Sequence, residues 1–260
     1  MTMAKTRAAH GFDILMYHQV GEFEPMREHR ATYCHVARFR AQMAWLARWG
    51  YRVCSLADAC ARWSTGQLDR RTVVLTFDDG YENFYQYAWP ILQQHGWTAT
   101  VYLIAGSIGA TAHWLAQAGH PAARLMDWPR IRALQREGVH FGSHAWHHQR
   151  LAGRPWEAQW QELRDSRHAL EDGLGVSVHD VCYPYGSYDA TTLAVAAEAG
   201  YTRGVTCVRA RVAPGWDPLA LPRKAVSYGD SALGMGWKLA FKNTPKHEVV
   251  MRPGFGVEVA

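Results

Sequence analysis

Apolar positions along the chain fall into two alternating rhythms. One is a short, nearly continuous run, as at residues 14–17, 51–56, 72–77, 98–104, 139–142, 178–183 and 201–206. Runs of this length, rich in β-branched and aromatic residues, predict strands covered on both faces. The other rhythm has helical spacing, as at Val36, Phe39, Met43 and Leu46, with Arg38, Arg40 and Arg48 between them. It predicts an amphipathic helix that stops at Gly50. Further helices are predicted over 57–63, 85–95, 127–137, 156–172 and 191–199, the last two of the 127–199 region flanking strands on either side. Strand followed by helix, many times over, means a parallel α/β sheet, open or closed into a barrel. No repeat, low-complexity tract or linker interrupts the pattern. A single domain over residues 12–240 is expected, with irregular termini at 1–11 and 241–260 and one long loop over 106–121.

Composition narrows this picture only a little. A length of 260 residues suits one α/β barrel, which needs about 250. Hydrophobic residues make up 48% and charged residues 20%, as in soluble globular proteins. No apolar run approaches the ~20 residues of a membrane span. The first residues lack the apolar stretch of a signal peptide, so a cytoplasmic location is expected. The cysteines number five and are scattered, with no CxxC pair, which excludes a zinc knuckle or a redox dithiol. Cys54 and Cys182 sit inside apolar runs and read as small buried hydrophobes. The net charge of +5 is mildly basic, which suits an acidic glycan, a phospholipid headgroup or nucleic acid, but is read as Lys and Arg spread over solvated helix faces, the C-terminus aside. No nucleic-acid-binding motif accompanies it, and no nucleic-acid partner is expected. Near the C-terminus, Trp237, Phe241, Lys238 and Lys242 mix aromatic and basic residues as interfacial segments do, consistent with weak membrane-surface association.

Chemistry gathers where predicted strands end. Thr76-Phe77-Asp78-Asp79-Gly80 places adjacent carboxylates after an apolar run, with a glycine to turn the chain. Such a pair is costly unless something positive offsets the repulsion; taken alone, it also fits a helix N-cap. His144 and His148, after the strand predicted at 139–142, are four apart and face one side of a helical turn. Two imidazoles and one carboxylate, from Asp79 or Asp78, would hold one metal ion and leave positions open. An isolated HxxxH is also common in surface histidine clusters, and His147 competes with His148 for the role. Tyr183-Pro184-Tyr185-Gly186 closes another strand with a turn whose N–H groups suit an oxyanion, or simply make a Pro-Gly turn. Met16-Tyr17-His18 closes the first strand, and its histidine also fits a satisfied rim position.

Together these residues resemble the polysaccharide deacetylase family, the NodB-homology domain or carbohydrate esterase family 4. Thr76 to Gly80 reproduce that family's TFDDG motif, and His144 and His148 its second motif, with Ala145 in place of the usual Ser or Thr. The third motif survives as Tyr183 to Gly186 without its usual Arg. Leu15 to His18 and Leu221-Pro222-Arg223 are similar to the permuted branch containing the poly-β-1,6-N-acetylglucosamine deacetylases. The resemblance implies a distorted, seven-stranded (β/α) barrel and a metal-dependent hydrolase that removes N-acetyl groups from an amino-sugar glycan or glycolipid. It implies that Asp79, His144 and His148 bind a divalent metal, zinc foremost, and that Asp78 is the general base. It further implies that His18 protonates the leaving amine, that the Tyr185 backbone N–H steadies the oxyanion, and that Arg223 orients Asp78. A deformylase, a small-amide or an ester hydrolase would use the same site. A non-catalytic glycan-binding module would rely on the twelve Trp and twelve Tyr, but Trp45 and Tyr102 fall in predicted core elements.

Overall fold

The computed structural model describes residues 11–25, 27–112, 114 and 120–257. Strand β1 (Asp13–Tyr17) leads to β2 (Gln19–Gly21) and β3 (Tyr33–His35), which pair with each other in parallel. Then come α1 (Val36–Arg48), β4 (Arg52–Cys54), α2 (Leu56–Ser64), β5 (Thr72–Phe77), α3 (Trp89–Gln94) and β6 (Thr100–Leu103). A small antiparallel pair, β7 (Thr111–Ala112) and β8 (Ala123–Arg124), precedes α4 (Trp128–Arg136) and β9 (His140–Ser143). The chain continues through α5 (Trp156–Leu174), β10 (Asp180–Cys182), α6 (Ala190–Glu198), β11 (Arg203–Val205), β12 (Lys224–Ala225) and α7 (Ala232–Phe241).

Seven parallel strands form the path β11-β10-β9-β6-β5-β1-β12, and β4 pairs with the first half of β5. The sheet curls. A parallel bridge between Val205 and Leu221 ties β11 to the segment that leads into β12, so the two ends of the path meet. The result is the expected distorted (β/α) barrel.

Side-chain alternation along the strands explains the two main core clusters. Leu15, Tyr17, Val73, Leu75, Phe77, Val101 and Leu103 pack outward among the helices. Ile14, Val74, Tyr102, Cys182 and Val205 belong to the other cluster, on the opposite face. Every residue of β1 and β5 is buried, as their largely apolar runs require, and the one charge among them, Asp13, is paired with Arg211 and Lys224. These two strands share the longest register, with Tyr17 level with Phe77. The Asp78 N–H donates to the Tyr17 carbonyl at 3.0 Å, which sets His18 and Asp78 side by side at the barrel rim.

Some elements depart from the pattern-based expectation. Residues 85–95 were expected as one helix, but Phe84–Ala88 form a π-helical turn before α3. Pro90 has no N–H to donate, so the ladder widens there. The loop expected at 106–121 contains β7, while residues 113 and 115–119 lie outside the described residues. Helix α7 went unpredicted because Gly234 and Gly236 depress helix propensity. Gly236 has a packing reason: a Cβ there would come within 2.6 Å of the Trp45 ring of α1.

Candidate active site

At the end of β5 the chain turns through two left-handed residues, Asp79 (φ 74°) and Gly80 (φ 74°). Gly80 also has no room for a side chain, since a Cβ would lie 2.7 Å from Leu103. Asp79 tolerates this conformation better than most residues, at some cost. The turn directs both carboxylates into one pocket of about 370 Å³, together with His18, His144 and His148.

Asp79 Oδ1 lies 3.3 Å from His144 Nε2 and 3.3 Å from His148 Nε2. The three candidate ligand atoms are all within 4.8 Å of one another. His144 Nδ1 lies 2.7 Å from the Cys182 carbonyl, which can only accept, so Nδ1 carries the proton and Nε2 faces the carboxylate. Among the described residues, none donates a hydrogen bond to the buried Asp79 Oδ1. Burial disfavours its charge, but His148 and His144 outweigh that and hold Asp79 below the usual carboxylate range. Burial also opposes charge on His144, yet Cys182, Asp79 and Asp78 raise its pKa well above the ordinary imidazole value. For His148 burial wins, pushing the pKa down to about 4. A buried carboxylate oxygen facing two imidazole nitrogens is the arrangement a divalent cation would occupy. Donor types and spacing both fit such an ion.

The HxxxH spacing works differently from the helical turn expected. Residues 144–150 form a loop in which Ala145 (φ 61°) and His148 (φ 58°) are left-handed. Helical hydrogen bonds are replaced by Glu162 of α5. Its Oε2 accepts from the backbone N–H of Trp146 at 3.1 Å and of His147 at 2.9 Å, and its Oε1 lies 2.7 Å from His147 Nδ1. His147 is thereby turned away from Asp79, and His148 takes the place beside it.

Asp78 faces a different environment. Arg223 donates to its Oδ1 at 2.6 Å and its Oδ2 at 2.8 Å. The other Arg223 donors reach Thr206 O, Thr76 Oγ1 and Cys182 Sγ, at 2.9, 3.1 and 3.1 Å. All five N–H groups of a fully buried guanidinium are thus used. Burial would raise the Asp78 pKa, but the Arg223 ion pair overrides it and keeps the carboxyl below its ordinary value. Cys182 is more than a small hydrophobe: its thiol, pushed up to about 11 by burial, donates to Asp78 Oδ2 at 3.5 Å. Asp78, His144 and Cys182 also lie close enough for a metal. That set is the poorer one, because Arg223 already donates to both Asp78 oxygens and to Cys182 Sγ. His18 Nε2 is 3.8 Å from Asp78 Oδ2, and its buried Nδ1 has no partner among the described residues.

Tyr185 (φ 58°), about half exposed, lines the pocket, its ring 4.6 Å from that of His148. Three residues here left no mark in the sequence pattern: Trp114, 4.9 Å from His148; Arg150, 4.7 Å over the Tyr185 ring; and Glu162.

In curled parallel barrels the reactive side chains gather at the C-terminal strand ends, as these carboxylates and histidines do, which is the plan of an enzyme active site. Residues 65–204 match the polysaccharide deacetylase family, and the chain belongs to it. Membership makes it a hydrolase acting on a glycan. The protein YxkH of Bacillus subtilis (strain 168), named for the polysaccharide deacetylases, is 28% identical over 89% of this chain and 77% of its own length. The poly-β-1,6-N-acetyl-D-glucosamine N-deacetylase of Escherichia coli (strain K12) is 31% identical over 52% of this chain but only 21% of its own. Among solved structures, the Streptococcus pyogenes deacetylase PplD in complex with acetate superposes with a TM-score of 0.77. It is 26% identical and covers 89% of this chain and 99% of that one. IcaB from Ammonifex degensii shares the fold, with a TM-score of 0.74 at 22% identity.

Proposed function

We propose that this chain is a divalent-metal-dependent de-N-acetylase of an amino-sugar glycan, with zinc as the expected ion. The observation that carries the reading is the buried Asp79 Oδ1 between two imidazoles, without a donor among the described residues, and the Arg223-clamped Asp78 alongside. Asp79, His144 and His148 would hold the ion, a mixed N/O set that suits zinc. A bound cation supplies Lewis acidity, polarising the acyl oxygen and acidifying water. Asp78, kept ionised and aligned by Arg223, takes a proton from the attacking water. His18 gives a proton to the departing nitrogen, because an amide cannot expel an amine anion. The Tyr185 backbone N–H donates to the oxygen that gains charge. Acetate and a free amino sugar leave. The rings of Trp114 and Tyr185 flank the pocket and offer surfaces on which a pyranose can stack. The names of the E. coli and S. pyogenes relatives, a N-acetylglucosamine polymer deacetylase and a deacetylase holding acetate, support the choice of acyl group and sugar.

Turnover of N-acetylglucosamine oligomers should fall to background after dialysis against a chelator and return on adding zinc. Full activity in metal-free protein would overturn the proposal, and formate release in place of acetate would reassign the acyl group. Glu162→Ala should weaken zinc binding by about 10- to 100-fold by freeing the histidine loop. Glu162→Gln, which keeps an acceptor oxygen, should recover part of it. Titration calorimetry showing equal affinity in all three proteins would remove Glu162 from this role.

A further inference from the structure

Helix α7 presents an apolar surface to solvent. Leu233, Trp237 and Phe241 recur at four-residue spacing and are 78%, 51% and 69% exposed, and Ala240 beside them is also exposed. The Trp237 and Phe241 rings lie 6.0 Å apart. Lys238, within this stretch, turns inward: its ammonium donates to Asp230 and to the Ala225 carbonyl. What faces water along α7 is therefore almost wholly hydrocarbon and aromatic. Most monomer surfaces avoid a contiguous patch of this kind.

The neighbouring helix extends the surface. α1 packs on α7 through Trp45, which occupies the space that Gly236 leaves. Its exposed positions alternate small and cationic residues: Ala37, Arg40, Ala41, Ala44, Ala47 and Arg48. Trp49, 48% exposed, follows it, with Arg71 over the ring. Neither helix contains an acidic residue. Lys242 stands at the end of α7 with its ammonium 4.3 Å from the Trp237 ring. Beyond it, the segment 242–257 carries Lys246 and Arg252 against a single acid, Glu248, while Arg252 is itself paired with Asp217.

We propose that the α1–α7 face rests on an anionic lipid surface, with Leu233, Trp237 and Phe241 entering the headgroup–acyl boundary and Arg40, Arg48 and Lys242 meeting lipid phosphates. An apolar stripe, aromatic rings beside a lysine stem, and a cationic rim without acids are the features of an interfacial helix. A second copy of the chain is the poorer occupant. Two-fold pairing through this face would bring Arg40, Arg48 and Lys242 onto the same acid-free patch of the other copy, with no acid on either helix to offset them. The helix lies on the surface and does not cross it: among the described residues, no helix is long and apolar enough to span a membrane. The catalytic pocket opens at the strand ends, while α7 belongs to the outer helical layer, so docking leaves the pocket free. This inference stands independently of the metal-dependent reading.

The test is flotation of purified protein with vesicles of phosphatidylcholine alone or mixed with phosphatidylglycerol, at low and high salt. Wild type should float with the mixed vesicles and dissociate as salt rises. Leu233→Ser, Trp237→Ser and Phe241→Ser combined should weaken binding by more than about tenfold. So should Arg40→Glu, Arg48→Glu and Lys242→Glu combined. All are surface changes, so an unaltered melting temperature confirms that the fold is intact. Equal binding to both vesicle types would overturn the electrostatic part, and no binding to either would overturn the whole. A dimer in light scattering that the triple Ser variant converts to monomer would reassign the face to self-association and also overturn it.

Discussion

Asp78→Asn is expected to lower kcat by about 10²- to 10⁴-fold while leaving the bound metal in place. The amide retains the shape of the carboxylate but cannot accept a proton from water. The three candidate ligands are untouched, since Asp79 faces His144 and His148 whereas Asp78 faces Arg223. Metal content measured by elemental analysis should stay near one ion per chain. Circular dichroism should show the wild-type fold at assay temperature, with some loss of thermal stability because Arg223 keeps only part of its partner. A variant that loses its metal along with its activity would mean that Asp78 is a ligand. One that keeps near-wild-type turnover would remove it as the base.

Arg223→Met should produce the largest change in stability, about 3–5 kcal/mol, because it leaves a buried carboxylate without its counter-charge. For a chain of this size that is a fall of roughly 6–20 °C in melting temperature. Arg223→Lys should lie between, since an ammonium cannot bridge both Asp78 oxygens and also serve Thr206, Thr76 and Cys182. The pH dependence should invert. In the wild type the folded-state pKa of Asp78 is below its ordinary 3.8, so the pair's contribution is present above that pH and is lost as pH falls through the lowered value. Without Arg223 burial dominates and the pKa rises. The penalty then grows as pH climbs through 3.8 and is relieved in acid. Combining Asp78→Asn with Arg223→Met should recover part of the lost stability, because neither charge is left alone. Melting curves in which the single and double variants lose equally would show that the ion pair does not govern this site.

The strands of the barrel were legible because a strand buried on both faces must be apolar throughout, as in Val73-Val74-Leu75. The short strands β2, β3 and β12 were not, since two or three residues carry no period. At the site, residue types and positions at strand ends were visible from Asp78, Asp79, His144 and His148. Residue pattern alone did not place their surroundings: Arg223 meets Asp78 across 145 positions of sequence, a pairing that only the family resemblance implied. Nothing in a helical glutamate announces that Glu162 will bond two N–H groups of a loop, and this is also why the helical reading of His144 and His148 failed. Trp114 and Arg150 are single side chains on irregular segments, where periodicity says nothing.

The bridge from Val205 to Leu221 closes the ring just ahead of Arg223. Arg223 belongs to this closing segment and His18 follows β1, the strand beside β12, so both lie outside the stretch 65–204 that bears the family signature. The stretch up to residue 220 holds Asp78, Asp79, His144 and His148, yet the guanidinium that aligns Asp78 arrives only with the segment leading into β12. The clamp on Asp78 therefore depends on the ring being closed: a chain cut short of its last strand would leave that carboxylate without its partner.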